Sequence, residues 1–201
     1  MKIRSALFLI ISLVFFYGAS EAQTVKLNVN NEETTMTVSG TSTLHDWTSE
    51  VKTVNGYVEV NEKMIDKQKI KKGEEIPLVE IIVPVKAIIS PRGATMDKKT
   101  YNALKSEEHP EISFKLENCK IGDISGTDFE LSATGDLTIA GVTKKVDFPV
   151  TGKMISSEKM SFAGAYKLNM VEYEMEPPSA MFGQIETGEE VEIKFELVVA
   201  K

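Results

Sequence analysis

From Met36 almost to the last residue, apolar side chains recur at every second position, and this period of two commits most of the chain to extended strands with one buried face. Met36, Val38 and Gly40 alternate with Thr35, Thr37 and Ser39. Residues 47–60 form a second extended stretch with Asn55-Gly56 as a bulge or turn, and a hairpin near His45-Asp46 joins the two. Residues 78–89 make a longer apolar strand in which Pro84 lacks a ladder donor and requires a bulge or an edge. Ile112, Phe114 and Leu116 alternate with polar neighbours. Leu131, Ala133, Gly135, Leu137 and Ile139 share one face, and Val146, Phe148 and Val150 follow a short Ala140-Gly141 turn. Phe162, Gly164, Tyr166 and Leu168 come next, and Val191, Ile193, Phe195, Leu197 and Val199 close the chain with the cleanest alternation. Roughly six to nine short strands predict a sandwich or a barrel.

One helix is expected over residues 97–106, with Asp97 as N-cap and Pro110 beyond its end, placed to lie across an opening. Residues 65–75 carry four lysines and read as a solvated loop. Ala133, Gly135, Ala163, Gly164 and Ala165 fill little volume on their strands. A closed barrel of about eight strands with small inward side chains has room for one small apolar ligand, whereas larger neighbours would fill it.

Composition narrows the function. The 201 residues are 42% hydrophobic and 26% charged, in the range of one globular domain. A net charge of -7 argues against nucleic acid as a partner. Cys119 is the single cysteine, and His45 and His109 are the only histidines, which excludes a clustered Cys/His metal site and a redox CxxC pair. No nucleophile elbow, P-loop or dinucleotide fingerprint occurs, and no cofactor is implied. His45 and Asp46 are adjacent, but neighbours on a strand point to opposite faces, so an imidazole held in a turn is expected. His109 reads as solvated and Cys119 as a small core residue. At the start, Lys2 and Arg4 precede an apolar run over residues 6–16, then Gly18, Ala19, Ser20 and Ala22. This is the pattern of a secretory signal over residues 1–22, cut near Ala22 and too short to anchor in a bilayer. The expectation is a domain over residues 23–201, periplasmic or secreted, without a stable membrane anchor, as a monomer or weak homodimer.

Several segments together resemble one family. Residues 38–47, Val-Ser-Gly-Thr-Ser-Thr-Leu-His-Asp-Trp, resemble a first long strand ending in a histidine, followed by the Gly-containing Val54-Asn55-Gly56-Tyr57-Val58. His109-Pro110-Glu111-Ile112-Ser113-Phe114 carries a Pro-x-Ile-x-Phe element, and Gly135-Asp136-Leu137-Thr138-Ile139-Ala140-Gly141-Val142-Thr143-Lys144 a Gly-x-Leu-Thr-x-x-Gly-Val-Thr-Lys hairpin. These are similar to the YceI-like family of exported bacterial proteins, and the likeness runs from about Val38 to Val199. The resemblance implies an all-β fold, an antiparallel up-and-down lipocalin-like barrel of about eight strands with one short helix. Some members bind polyisoprenoid lipids. Residues 175–183, Met-Glu-Pro-Pro-Ser-Ala-Met-Phe-Gly, depart from the family, many of whose members carry arginine there.

The resemblance implies a binding or carrier protein, not an enzyme, that holds an amphipathic lipid, isoprenoid or fatty-acyl, inside the barrel. The residues expected to touch it are Trp47, Met96, Tyr101, Leu104, Phe114, Phe162, Tyr166 and Phe182, with His45 reading the polar head at the mouth. Two alternatives differ in class. A packed barrel would act through its outer surface as an interaction or stress-related module, and a hydrolase would need a nucleophile and base in reach, around Ser42 and His45.

Overall fold

A computed structural model describes residues 23–66 and 69–201; the expected signal segment, residues 1–22, lies outside the described residues. The strands are β1 (Thr24–Val29), β2 (Thr35–Ser42), β3 (Trp47–Val51), β4 (Asn55–Asn61), β5 (Leu78–Pro84), β6 (Ile88–Ile89), β7 (Glu111–Ser125), β8 (Asp128–Ile139), β9 (Val142–Met154), β10 (Lys159–Asn169), β11 (Ser179–Ala180) and β12 (Ile185–Ala200). Helix α1 (Glu62–Asp66) follows β4, and α2 (Ala94–Ala103) separates β6 from β7. Single 3₁₀ turns occupy Val85–Ala87 and Met170–Tyr173.

Antiparallel pairing runs β1-β4-β5-β7-β8-β9-β10-β12, and β12 returns to β1, so the sheet closes on itself. The strands β2, β3 and β6 prolong β1, β4 and β5 toward one end: β2 lies between β12 and β3, and β6 pairs with β3. The product is an eight-stranded antiparallel barrel in which chain neighbours are spatial neighbours, the all-β lipocalin-like architecture that the resemblance implied. Closure removes the edges that an open sheet of this length would expose.

The three prolonged strands break side by side, at residues 30–34, 52–54 and 85–87. Side chains and isolated backbone bonds satisfy the groups that the ladder drops. The Asn31 amide accepts from the Val54 amide at 2.8 Å and donates to its carbonyl at 3.0 Å. Asn30 N donates to Val198 O at 2.8 Å, and Lys52 N to Ala87 O at 2.9 Å. Pro84 stands immediately before the third break, where its missing donor is harmless. Below the breaks, Gly56 has φ of 131°, and a Cβ there would sit 2.0 Å from the Glu80 carbonyl oxygen. Between β8 and β9, Ala140 (φ 50°) and Gly141 (φ 84°) form a two-residue turn of the twist that hairpins favour.

Several local readings change. Strand β1 precedes the first expected strand. Helix α2 starts at residue 94 with Gly93 before it, so Asp97 lies inside the first turns, where its carboxylate accepts from the Ser90 amide at 2.7 Å. A bulge between Leu116 and Asn118 shifts the β7 register, so Cys119 and Ile121 take over the inward face from Leu116. Residues 65–75 are not all solvated: Ile65 is fully buried on α1, Gly73 N donates to the Ile121 carbonyl of β7, and Glu74 O accepts from the Ile121 amide. The His109 ring lies over Gly141, whose added Cβ would approach it to 2.5 Å, so this imidazole is packed rather than solvated.

The two ends differ. Leu27, Val60, Met64, Ile65, Met160 and Val199 have no exposure and close the end beneath α1. At the other end, the β2–β3 turn, α2 and the start of β12 surround an opening.

Candidate functional site

The barrel interior is not filled. A lower chamber of about 140 Å³ runs among side chains of β5, β7, β8, β9, β10 and β12. An upper chamber of about 480 Å³ opens at the mouth. Ile112 and Ile193 line both, so the two adjoin. Close packing normally leaves few interior voids larger than a water. Here Phe114, Tyr166, Ile193 and Phe195 face inward yet keep partial accessibility.

An aromatic arc gives the lower chamber its shape. The Phe148 ring centre lies 5.5 Å from Phe114, 5.5 Å from Tyr166 and 6.1 Å from Phe195. Glycines let such rings lie against the wall. A Cβ on Gly164 would stand 2.8 Å from the Phe195 ring, one on Gly135 2.8 Å from Phe114, and one on Gly40 2.7 Å from Trp47. Each of these three glycines therefore leaves no gap of its own but seats a neighbouring ring that would otherwise project into the lumen, whereas Ala133 lines the chamber itself. Apart from the Tyr166 hydroxyl, the Cys119 thiol and the Met36 thioether, the lining is hydrocarbon. Burial pushes the Cys119 thiol up to about 11, so it is neutral at physiological pH.

The upper chamber mixes apolar and polar groups. Trp47 lies over Gly40 and donates from Nε1 to the Thr41 carbonyl at 3.0 Å. In the β2–β3 turn, Ser42 Oγ donates to His45 O at 2.7 Å, and His45 Nδ1 is 2.9 Å from Asp46 O. The serine is thus engaged with main chain rather than with the imidazole, which does not assemble the nucleophile and base of a hydrolase. Met96 and Thr100 of α2 and Leu104 just past its end reach the chamber, so this helix does lie across the opening. Arg92 and Lys99 stand at the same mouth, with Lys99 Nζ donating to Ser179 O at 2.8 Å.

Of the residues expected from sequence, Trp47, His45, Met96 and Leu104 line the upper chamber, and Phe114, Phe162 and Tyr166 the lower. Tyr101 stands outside both, with its hydroxyl donating to Lys86 O at 3.1 Å and tying α2 to the turn before β6. Phe182 is fully exposed on the turn before β12. Sequence reasoning did not single out Ile112, Ile193, Met170 or Met175. The first two were visible in the strand periodicity, whereas the methionines lie in irregular chain with no periodic signature.

Behind the wall, Tyr173 lies between Lys144 of β9, whose Nζ is 5.8 Å from its ring centre, and Tyr166 of β10. The paired part of β9 and β10 stops at Val150 and Gly164, and Tyr173 packs where the strands part. Tyr173 is 1% exposed, and its hydroxyl has no partner at full hydrogen-bond geometry, with the Tyr166 hydroxyl as the polar group beside it. Burial first, and the adjacent Tyr166 second, raise its pKa well above the ordinary phenol value.

Fold and site together define an eight-stranded barrel with one packed end and an apolar interior open at the other. The chain belongs to the YceI-like domain family, whose model matches residues 23–199. No curated protein sequence matches it. Among solved structures, BcnA of Burkholderia cenocepacia superposes with a TM-score of 0.64 at 18% identity, covering 85% of this chain and 98% of that one. A polyisoprenoid binding domain from Saccharophagus degradans, implicated in plant cell wall breakdown, gives 0.65 at 9% identity, covering 87% and 97%. The YceI protein of Campylobacter jejuni gives 0.54 at 14% identity, covering 76% and 84%. At these identities the likeness establishes the shared fold.

Proposed function

We propose that this protein is an exported carrier that holds one amphipathic lipid, isoprenoid or fatty-acyl, with its tail in the two chambers and its polar end at the mouth. The observation that carries this reading is the pair of adjoining chambers, hydrocarbon-lined below and mixed above. A roughly 150 Å³ apolar cavity accommodates benzene. On that scale the lower chamber takes about six carbons and the upper about three times as many. Burial contributes about 0.8 kcal/mol per methylene, so tight binding needs no strong polar motif. His45, Arg92 and Lys99 are the polar residues best placed to meet a head group. The name of the Saccharophagus relative supports the isoprenoid alternative. In this reading residues 1–22 are removed, and the domain over residues 23–201 works in the periplasm or outside the cell.

Trp47, the only tryptophan, is a built-in reporter at the mouth. Titration with geranylgeraniol or hexadecanoic acid is expected to change its emission saturably, at one molecule per chain. No saturable change with either compound, in protein first stripped of lipid, would refute the carrier reading.

A further inference from the structure

The turn before β12 places apolar side chains in water at a conformational cost. Met181 (φ 50°) and Phe182 (φ 56°) both occupy the left-handed region that disfavours residues with a Cβ, followed by Gly183 at 85°. Met181 is 65% exposed and Phe182 fully so. The only backbone bond within the turn is a long one, Gln184 N to Met181 O at 3.3 Å. The pairing of β11 with β12, Ser179 opposite Glu186 and Ala180 opposite Ile185, fixes the left-handed turn, but neither it nor core packing accounts for two apolar side chains at the tip. Thr43 joins this turn to the β2–β3 turn, its amide donating to Glu186 O at 3.0 Å and its hydroxyl accepting from Glu186 N at 3.0 Å. That neighbour presents Leu44, 66% exposed, beside the same opening.

We propose that the mouth rim docks on the surface of a zwitterionic phospholipid bilayer, with Leu44, Met181 and Phe182 entering the interface. The proposal rests on the carrier reading, because a lipid-filled chamber must exchange its content with a bilayer. Continuity favours this occupant: Leu44 lines the mouth of the upper chamber and the turn joined to it carries Met181 and Phe182, so a bilayer seated there meets the opening directly. Charge agrees. Arg92 and Lys99 stand at this mouth outside every ion pair among the described residues, Lys99 held only by the Ser179 carbonyl, and both are positioned to meet lipid phosphates. Asp46 and Glu186 on the same rim, and the chain's net charge of -7, disfavour a strongly anionic surface. Scattered exposed apolar residues are ordinary; a cluster around a lipid-sized opening is not.

The test is flotation of the lipid-free protein with phosphatidylcholine vesicles, comparing wild type with the double variant Met181→Ser/Phe182→Ser. Wild type is expected to float, and the variant's partitioning to fall at least tenfold. A second protein, Trp47→Phe/Phe182→Trp, carries its sole tryptophan at the turn, and brominated phosphatidylcholine should quench it. Geranylgeraniol delivered from ethanol checks the chamber separately, and wild type and the serine variant should take it up equally. Wild type left in the lipid-free fraction, equal flotation of the variant, or an unquenched turn tryptophan overturns the docking proposal even when the prenol binds. A concentration-dependent dimer lost in the serine variant, with no flotation, assigns the turn to a second copy and also overturns it. Absent prenol uptake with flotation retained defeats the carrier reading instead.

Discussion

Ala133 on β8 lines the lower chamber, and Ala133→Phe adds a phenyl ring to a space of about 140 Å³. An apolar cavity of roughly 150 Å³ accommodates benzene, so the new ring occupies the whole chamber. Tail space for about six carbons is lost, worth up to about 5 kcal/mol at 0.8 kcal/mol per methylene. That is more than three orders of magnitude in Kd for a tail long enough to reach the chamber. The assay is Trp47 fluorescence with linear prenols of increasing length. Wild-type affinity should climb with length and level off near about 25 carbons, the content of both chambers on the benzene scale. The variant should level off about six carbons earlier and bind the shortest prenol as wild type does. Thermal unfolding checks that overpacking, typically about 1–3 kcal/mol, has not disturbed the barrel. Identical length profiles would refute the reasoning, because they would mean that tails never enter the lower chamber.

Tyr173→Phe removes a buried hydroxyl that has only the Tyr166 hydroxyl beside it and no well-formed hydrogen bond, so it should stabilise the lipid-free protein by about 1–3 kcal/mol. Chemical denaturation reads this directly, and a clear loss of stability would show that the hydroxyl has a partner. Cys119, held up to about 11 by burial, should react slowly with a thiol reagent at pH 8, and more slowly still when a tail fills the lower chamber. Its folded pKa exceeds the ordinary value of 9.0, so its contribution to stability is intact below pH 9 and is lost as pH rises toward about 11. Thiol-labelling rates with and without ligand, and denaturation midpoints across that pH range, test both statements.

The barrel was legible because its inward and outward faces are chemically distinct along almost every strand. Val191 to Val199 on β12, and Leu131 to Ile139 on β8, show the period of two without interruption, and the structure places both as expected. Pro84 announced its own break. What alternation could not reveal was the bulge after Leu116, since one extra residue reverses the parity and leaves each half looking regular. Strand β1 carries the same alternation in Val25, Leu27 and Val29, but its six residues are a short signal beside the expected signal segment, and pairing with β4 and β12 secures it.

The candidate site was half legible for a related reason. Residues on regular strands, such as Phe114, Phe162 and Tyr166, face the lumen because their parity requires it. Parity says nothing about irregular chain. Tyr101 and Phe182 are aromatic and close in sequence to the mouth, but the helix turns one toward Lys86 and the left-handed turn aims the other at solvent. The emptiness of the interior was raised in sequence by the small residues of β8 and β10 but could not be decided there. It depends on glycines such as Gly164 and Gly135 seating rings from neighbouring strands, which is a property of register rather than composition.

The most direct measurement of the central claim is native mass spectrometry of the chain expressed with its own residues 1–22, purified without detergent, then extracted with organic solvent. The expected result is a mature mass beginning near Gln23 that carries one adduct of isoprenoid or acyl mass, released by the extraction and identifiable there. A mass without adduct, unchanged after incubation with mixed lipids, would contradict it and return the barrel to a role played on its outer surface.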